Sequence, residues 1–277
     1  MALPTVAFQG ERGSFSEEAA YKLLGRKVRV QPCEAFADIF ASVVSGRTKY
    51  CLAPIENTLA GSVYENYDLL LKHDLHIVGE VNLRIVHNLL AFAGTTRQNL
   101  KQVYSHPVAL AQCNRFFAQH PKVQKVPFYD TAGSVKMLAE KRPPGAAAIA
   151  SRTAAAVYGA RILQGHLEDH HENFTRFLLL SRSASVSRLA NKISIVFSTQ
   201  NLPGALFKCL SVFALRDIDL SKMESRPLRG RPWEYFFYLD FIGNVKEERC
   251  RHALAHLAEV TNLLRVLGCY EGAPRQG

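Results

Sequence analysis

One stretch of the chain shows the pattern that decides the fold: Tyr50-Cys51-Leu52-Ala53, followed by Pro54-Ile55-Glu56-Asn57-Thr58-Leu59-Ala60-Gly61-Ser62. The first four residues are apolar, which is typical of a short buried strand. The next nine bring in polar and small residues, which is typical of a loop at the end of a strand. Residues 63–72 then predict a helix. A strand, a polar loop and a helix in this order predict one unit of an α/β fold.

The same order recurs from residue 5 to about residue 180. Strands are predicted over 5–9, 103–105, 126–129 and 146–150, and a loop rich in Ser, Thr, Asn or Gly precedes the helix after each of them. We therefore expect an α/β region built on largely parallel sheets. If the loops converge, their helix N-termini and hydroxyls form an anion-binding cleft. The alternative, that these polar residues only cap helices, stays open for any single loop.

Composition limits the class of protein. The 277 residues are 48% hydrophobic and 21% charged, which is enough to bury a core and to form two domains. Charges, Gly or Pro interrupt every apolar stretch well short of about 20 residues, so no membrane-spanning helix is predicted. The start, Met1-Ala2-Leu3-Pro4, has no features of a secretory signal. We expect a cytoplasmic protein, which argues against an extracytoplasmic solute-binding protein.

Cysteine and histidine spacing gives no metal site. The chain has six cysteines, none of them in a C-x-x-C pair, so we expect reduced thiols and neither disulfides nor thiolate ligands. His170-His171 lies beside acidic residues, but adjacent histidines point in different directions and no further ligand follows at fixed spacing. His252 and His256 are one helical turn apart without a third ligand. No metal is expected.

The formal net charge of +10 indicates an anionic partner. The basic residues are dispersed, and no block of five to eight Lys or Arg residues and no nucleic-acid-binding motif occurs. We therefore expect no nucleic-acid partner. A small substrate with two negative charges accounts for the same excess of positive charge.

Composition changes at Ser183-Ala184-Ser185-Val186-Ser187-Arg188, where small polar residues predict a linker. Strands are predicted over 192–198, 220–226, 234–242 and 262–269, with helices over 204–216 and 245–258. This βαββαβ order predicts a ferredoxin-like module. The predicted domains are 1–182, a linker at 183–191, and 192–271. A module of about eighty residues has a marginal core, so we expect it to pack on a second copy in a homodimer or homotetramer.

The polar group most suggestive of chemistry is Glu172-Asn173-Phe174-Thr175-Arg176-Phe177, which precedes three leucines. In an extended strand, Asn173, Thr175 and Phe177 share one face and Arg176 lies on the other. A hydroxyl and a guanidinium can then bracket one ligand from two directions. The alternative is an edge strand whose polar residues meet solvent.

Several motifs in matching order resemble the catalytic domain of the prephenate dehydratase family, which includes prephenate and arogenate dehydratases. The motifs are Thr175-Arg176-Phe177, Glu56-Asn57-Thr58, Gly61-Ser62, Ser105-His106-Pro107 and Asp130-Thr131-Ala132-Gly133. Matches in order along nearly the whole chain are far more specific than one short pattern. One departure is Thr58, where many relatives have Ser.

The resemblance implies a two-lobed catalytic domain similar to the periplasmic binding proteins of type 2. It also implies loss of water and CO2 from a cyclohexadienyl ring in L-phenylalanine biosynthesis, without a metal or organic cofactor. Prephenate would give phenylpyruvate, and arogenate, the alternative substrate, would give phenylalanine. A non-catalytic amino-acid sensor is the alternative of another class.

The resemblance also implies roles for single residues. Thr175 would donate a hydrogen bond or proton to the departing hydroxyl, and Arg176 would bind a substrate carboxylate with its two-pronged donor geometry. Asn173 and Phe177 complete this catalytic set. Glu56 is expected to be a structural carboxylate, since a carboxylate repels a dianion. The residues expected to line the substrate site are Glu56, Asn57, Thr58, Gly61, Ser62, Thr131, Ala132 and Ser134.

Two further motifs resemble an ACT regulatory domain that binds phenylalanine. They are Asn201-Leu202-Pro203-Gly204-Ala205-Leu206 and Glu224-Ser225-Arg226, which Pro227 follows. A glycine at a helix start lets a ligand carboxylate approach the backbone. The resemblance implies that L-phenylalanine is an allosteric effector of the enzyme.

Overall fold

The structure is a computed structural model that describes residues 3–228 and 234–274. The described residues fall into two compact units, one within Met1–Asp74 and Val81–Leu179, the other within Leu75–Glu80 and Leu180–Gly277. The helices and strands, in chain order, are β1 (Thr5–Gln9), α1 (Phe15–Leu24), β2 (Arg29–Cys33), α2 (Phe36–Val44), β3 (Tyr50–Asn57), β4 (Gly61–Ser62), α3 (Tyr64–Lys72), β5 (His76–Arg84), β6 (Asn88–Ala91), β7 (Gln102–Ser105), α4 (Pro107–Ala111), α5 (Asn114–Gln119), β8 (Gln124–Pro127), α6 (Thr131–Lys141), β9 (Ala146–Ala150), α7 (Arg152–Tyr158), β10 (Arg161–Gln164), β11 (Phe174–Ser181), β12 (Lys192–Ser198), α8 (Ala205–Ala214), β13 (Leu220–Pro227), β14 (Tyr235–Ile242), α9 (Glu248–Glu259) and β15 (Leu263–Tyr270).

The first sheet has the order β2-β1-β3-β11-β5, with the short β4 paired to β3. Strand β1 is parallel to both β2 and β3. Apolar strand residues such as Val6, Phe8 and Leu52 are completely buried, which explains why these short segments form interior strands. Ser14 caps helix α1, because its side chain accepts the backbone N–H of Glu17.

The second sheet has the order β10-β6-β9-β7-β8. Strands β7, β8 and β9 are parallel, whereas β6 is antiparallel to both β9 and β10. All five residues of β9, Ala146–Ala150, are buried. Their small side chains let elements pack closely on both sides of the strand. This sheet and its helices form the second lobe, inserted in the chain between β5 and β11.

The two segments that connect the lobes run side by side. The backbone N–H of Ile85 donates to the carbonyl of Asn173 at 2.7 Å, and that of Leu167 donates to the carbonyl of His87 at 2.9 Å. The chain therefore crosses between the lobes twice, through one hydrogen-bonded pair of segments.

The third sheet belongs to the second unit and has the order β13-β14-β12-β15, with antiparallel neighbours. Its core contains Ile195, Phe197 and Leu239 from the strands, packed with Val212 of α8 and Leu257 of α9. The βαββαβ order with β12 and β14 in the middle is the ferredoxin-like topology.

The predicted α/β class, the two-lobed first part and the ferredoxin-like last part are confirmed. The sheets of the lobes are mixed rather than largely parallel. In the second sheet β6 is antiparallel to β9 and β10, and in the first sheet the short β4 is antiparallel to β3. The predicted domain limits at 182 and 191 stay predictions. Within residues 3–228 and 234–274, no helix combines the length and apolar character needed to cross a membrane.

Candidate active site

The carboxyl ends of β1, β2 and β3 meet at one edge of the first sheet, as parallel neighbours must. A cavity of about 390 Å³ lies there, lined by residues around Gln9 and Cys33 from the first lobe and by Tyr129 from the second. Asn57, the last residue of β3, is at the same edge. The edge therefore faces a space that both lobes border.

Asn57 joins the two strands that carry the predicted motifs. Its side-chain Oδ1 accepts the backbone N–H groups of Leu59 at 3.0 Å and Ala60 at 2.8 Å. Its Nδ2 donates to Asn173 Oδ1 at 2.8 Å and to Thr175 Oγ1 at 2.9 Å. The structure thus brings together three of the predicted site residues, although 116 and 118 positions separate the donor from its two acceptors.

Thr58 fixes the start of β11. Its hydroxyl donates to the carbonyl of Glu172 at 2.7 Å and accepts the backbone N–H of Phe174 at 3.0 Å, while its own N–H donates to the carbonyl of Phe174. A serine would present the same hydroxyl, so the departure from the family pattern keeps these bonds. Thr58 is exposed, as is Gly61, and Ser62 pairs with Glu56 across β3 and β4.

Arg176 and Glu56 lie on the other face of the sheet. Asn57 contacts Thr175 and Glu56 contacts Arg176, and adjacent residues of a strand point to opposite faces. Arg176 Nη1 is 3.3 Å from Glu56 Oε1, and the Arg176 side chain is only 9% exposed. Glu56 thus accepts a hydrogen bond from the Arg176 guanidinium, and a purely structural role for this carboxylate stays a prediction. Phe177 is buried.

Strand β11 lies between β3 and β5. The alternative of an edge strand that meets solvent is therefore wrong. The apolar run that follows Phe177 is buried because both neighbouring strands and both faces cover it.

In the second lobe, the first turn of α6 holds three of the predicted substrate residues. Asp130 caps the helix and accepts the backbone N–H of Gly133 at 2.7 Å. Burial raises the pKa of Asp130. Ser134 Oγ donates to the carbonyl of Thr131 at 2.6 Å, and both Ala132 and Ser134 are fully buried. These contacts are internal, so a role of this turn in anion binding stays a prediction.

The two lobes contact each other beside the cavity. Glu11 of the β1–α1 loop accepts hydrogen bonds from Tyr129 Oη at 3.0 Å and from Lys136 Nζ at 3.1 Å. Desolvation and this bond raise the pKa of Tyr129 to about 12, so its phenol is neutral and donates. Ser151 Oγ donates to the carbonyl of Gly13 at 2.6 Å. The loop is thus bonded directly to the second lobe.

Sequence reasoning missed two residues that extend the network, Gln112 and His87. Asn173 Nδ2 donates to Gln112 Oε1 at 2.9 Å, and His87 Nε2 lies 2.9 Å from the same oxygen. Gln112 ends helix α4, and His87 lies in a crossover segment. No local pattern could have found them, because their contact depends on the crossover between the lobes.

The predicted effector residues lie in the second unit. Gly204 has φ of 77° and precedes α8, while Leu206 packs against the core of this unit. Asn201, Leu202 and Pro203 are exposed and Ala205 is half-buried. Along β13, Glu224 and Arg226 share the half-buried face and Ser225 is on the exposed face. The six described cysteines are free. In the described part of the chain, no group of three or more His, Cys, Asp and Glu side chains is placed to hold a metal ion.

Comparison with known proteins gives a consistent result. The family model described as prephenate dehydratase matches residues 6–185. An arogenate dehydratase/prephenate dehydratase 2, chloroplastic, of Arabidopsis thaliana is 46% identical, and the match covers 96% of this chain and 72% of the relative.

Two solved structures are similar over nearly the whole chain. Prephenate dehydratase from Arthrobacter aurescens in complex with L-Phe is 32% identical with a TM-score of 0.89, covering 96% of this chain and 89% of that one. GqqA, described as a novel type of quorum quenching acylase, is also 32% identical, with a TM-score of 0.90 and 98% of both chains covered. The motif residues that meet at Asn57 lie in the segment that the family model matches. The chain therefore belongs to the prephenate dehydratase family, a family of carbon–oxygen lyases.

Proposed function

We propose that this chain catalyses the decarboxylating dehydration of prephenate to phenylpyruvate in L-phenylalanine biosynthesis. One observation supports this proposal above all others: the Thr175 hydroxyl is a hydrogen-bond acceptor of Asn57 Nδ2 at 2.9 Å. Since the Thr175 oxygen already accepts this hydrogen bond, the hydroxyl proton of Thr175 is available to a ligand. Accepting one hydrogen bond also makes a hydroxyl a stronger donor.

The reaction needs such a donor. The ring hydroxyl leaves with the electron pair of its C–O bond and takes up one proton to become water. The bond from the ring to its carboxylate breaks, releases CO2 and supplies the electron pair that completes the aromatic ring. A hydrogen bond from Thr175 to the departing oxygen stabilises the developing charge, and assistance of this kind contributes about 10²–10⁴-fold in rate.

The role proposed for Arg176 is to bind a substrate carboxylate. A guanidinium carries five N–H donors, so it can hold Glu56 and a ligand at the same time. This role requires the carboxylate to approach from the Glu56 face of β11, since the hydroxyl of Thr175 is on the other face. The residues Thr58, Gly61, Ser62 and Thr131 are proposed to complete the walls of the substrate site.

Arogenate is the second candidate substrate, because the Arabidopsis relative carries both names. It differs from prephenate by an ammonium group in place of a keto group. The similarity to GqqA raises acyl transfer as a further candidate. Acyl transfer by a hydroxyl needs an adjacent base. Among the described residues, the Thr175 hydroxyl is bonded to the amide of Asn57 and to no histidine or carboxylate, which favours dehydration.

We further propose that the last unit is an ACT domain and that L-phenylalanine binds there and regulates the enzyme. The support is the Arthrobacter structure, which is in complex with L-Phe. A ligand shifts an equilibrium only by its differential affinity for two states, so the effector must favour one conformation. Assembly as a dimer or tetramer and a cytoplasmic location stay predictions.

The test offers prephenate and arogenate in parallel to the wild type, Thr175→Ala and Thr175→Ser, and follows phenylpyruvate and phenylalanine. We expect Thr175→Ala to lose about 10²–10⁴-fold in kcat and the matched Thr175→Ser to lose far less, because it keeps the hydroxyl. A wild type that converts neither compound would overturn the proposal and favour the sensor alternative.

A further inference from the structure

We propose that His87 is a positioning residue that acts through Gln112: as a neutral imidazole protonated on Nε2, it holds the side chains that orient the Thr175 hydroxyl. This inference rests on the proposed function for its kinetic consequence. The tautomer itself follows from hydrogen-bond directions and burial, whatever the reaction.

The direction of the network is set at its start by backbone groups. The N–H groups of Leu59 and Ala60 can only donate, so the Asn57 side-chain atom that they contact must be the oxygen. The other Asn57 atom is then the amide nitrogen, which donates to Asn173 and Thr175. The orientation of the amide group is therefore fixed without reference to any other side chain.

Two more side-chain amides, those of Asn173 and Gln112, continue the network. Asn173 receives the Asn57 donor on Oδ1, so its nitrogen is the atom that faces Gln112. Because this nitrogen donates, the Gln112 atom 2.9 Å away must be an acceptor, and it is therefore the oxygen Oε1. His87 Nε2 lies 2.9 Å from this same oxygen and must carry a hydrogen. Gln112 Oε1 thus accepts two hydrogen bonds.

The surroundings of His87 favour the neutral form of this tautomer. The residue is 2% exposed, and its Nδ1 has no hydrogen-bond partner among the described residues. A second proton on Nδ1 would be buried without an acceptor, which is costly. The rings of His87 and Phe15 pack edge to face, with 5.6 Å between their centroids. The nearby carboxylate of Glu168 is engaged by the backbone N–H of His87, not by its ring. Burial lowers the pKa of His87, in agreement with a neutral ring.

His87 thus does more than pack in the core. Without the Nε2–H donor, Gln112 Oε1 keeps one of its two donors and its side chain regains freedom. Asn173 and Asn57 are then held less firmly. The hydrogen bond from Asn57 Nδ2 to the Thr175 oxygen is weakened as a result. Since a small displacement of a catalytic donor is costly, the effect should fall on turnover more than on substrate affinity.

A double-mutant cycle with a rescue variant tests this role. His87→Phe keeps a ring beside Phe15 but has no donor, and His87→Gln restores an N–H at a similar reach. We expect His87→Phe to lower kcat about tenfold with KM changed less than about twofold, and His87→Gln to recover most of the loss. In a Gln112→Ala background, His87→Phe should change kcat by less than about twofold, because the residue acts through Gln112.

A loss from His87→Phe that is equal in both backgrounds would overturn the inference, as would a His87→Gln variant no better than His87→Phe. Nitrogen-15 NMR of the wild-type histidines gives a readout that needs neither activity nor a variant of His87. We expect the Nε2–H pattern for His87 at pH 7, with a shift of Nε2 in Gln112→Ala. An Nδ1–H or doubly protonated ring would overturn the inference. If the wild type converts neither prephenate nor arogenate, the proposed function fails while the NMR result still decides the tautomer.

Discussion

The guanidinium of Arg176 and the carboxylate of Glu56 lie 3.3 Å apart on one face of the first sheet, while Thr175 and Asn57 meet on the other. Because Arg176 is nearly buried and Glu56 is 31% exposed, this pair is expected to stabilise the strand pairing modestly. Glu56→Gln should therefore lower the free energy of unfolding by about 1 kcal/mol in urea titrations. Thr175→Ser, which changes no charge, is the control. A Glu56→Gln variant of wild-type stability but without turnover would make Glu56 a catalytic group, contrary to expectation.

Asn57→Asp should impair catalysis although it keeps the shape of the side chain. An aspartate still accepts the N–H groups of Leu59 and Ala60, but it has no donor for Thr175. The threonine hydroxyl would then donate to the carboxylate and lose the proton that the substrate needs. We expect kcat to fall about 100-fold or more in the dehydratase assay.

Asn99→Asp is the matched control for that substitution. Asn99 is an exposed loop asparagine of the second lobe that also accepts a backbone N–H, from Thr96 at 2.8 Å. It should keep close to wild-type activity. Equal losses at Asn57 and Asn99 would show that the added charge, not the lost donor, lowers kcat.

Gly13→Ala should destabilise the protein much more than Gly159→Ala. Both glycines have positive φ, 83° and 69°, so each alanine costs about 1 kcal/mol of backbone strain. A Cβ at Gly13 would lie 2.6 Å from Ala154 Cα in the second lobe, whereas one at Gly159 meets nothing within 4 Å. We expect an additional loss of about 2 kcal/mol for Gly13→Ala, measured by thermal and urea unfolding. Similar losses for the two variants would mean that the loop can move away from Ala154 at little cost.

His87 should make the stability depend on pH in acid. Its pKa is lowered in the folded protein from the ordinary value of 6.5, so the unfolded chain binds the proton more readily. The free energy of unfolding then rises with pH between the two pKa values, and the contribution is lost as the pH falls below about 6.5. We expect the wild type to lose more stability than His87→Gln as the pH falls from 7 to 5, because only the wild type has this titrating ring. A difference in stability between the two proteins that stays constant over this range would show that His87 has the same pKa in both states.

The sequence predicted most accurately those strands whose interior residues are mostly apolar. The strands β1, β9 and β12 were placed with the bounds that the structure has, because their interior positions are buried on both faces. Strand β2 was not predicted, since Arg29, Gln31 and Pro32 interrupt its apolar residues. Strands β6 and β10 were also missed.

The candidate site was predictable only in part, and for a physical reason. The motif residues were found through their resemblance to a family, and the alternation of β11 correctly placed Asn173 and Thr175 on one face. The pairing of Arg176 with Glu56 and the links through Gln112 and His87 depend on which strands become neighbours. Several loop hydroxyls, such as Ser14 and Ser151, also proved to be helix caps, which a single sequence cannot distinguish from ligand groups.

The hydrogen bond between Ile85 and Asn173 has a consequence for the modular design of the chain. Since the second lobe leaves and rejoins the first lobe at two positions that touch, it is a cassette inserted into a contiguous α/β layer. A short turn between residues 85 and 173 could replace the whole cassette without stretching the first sheet. Such a minimal chain would keep the Asn57–Thr175 contact and lose Gln112. Comparing it with the whole chain would separate the contribution of strand β11 from that of the second lobe.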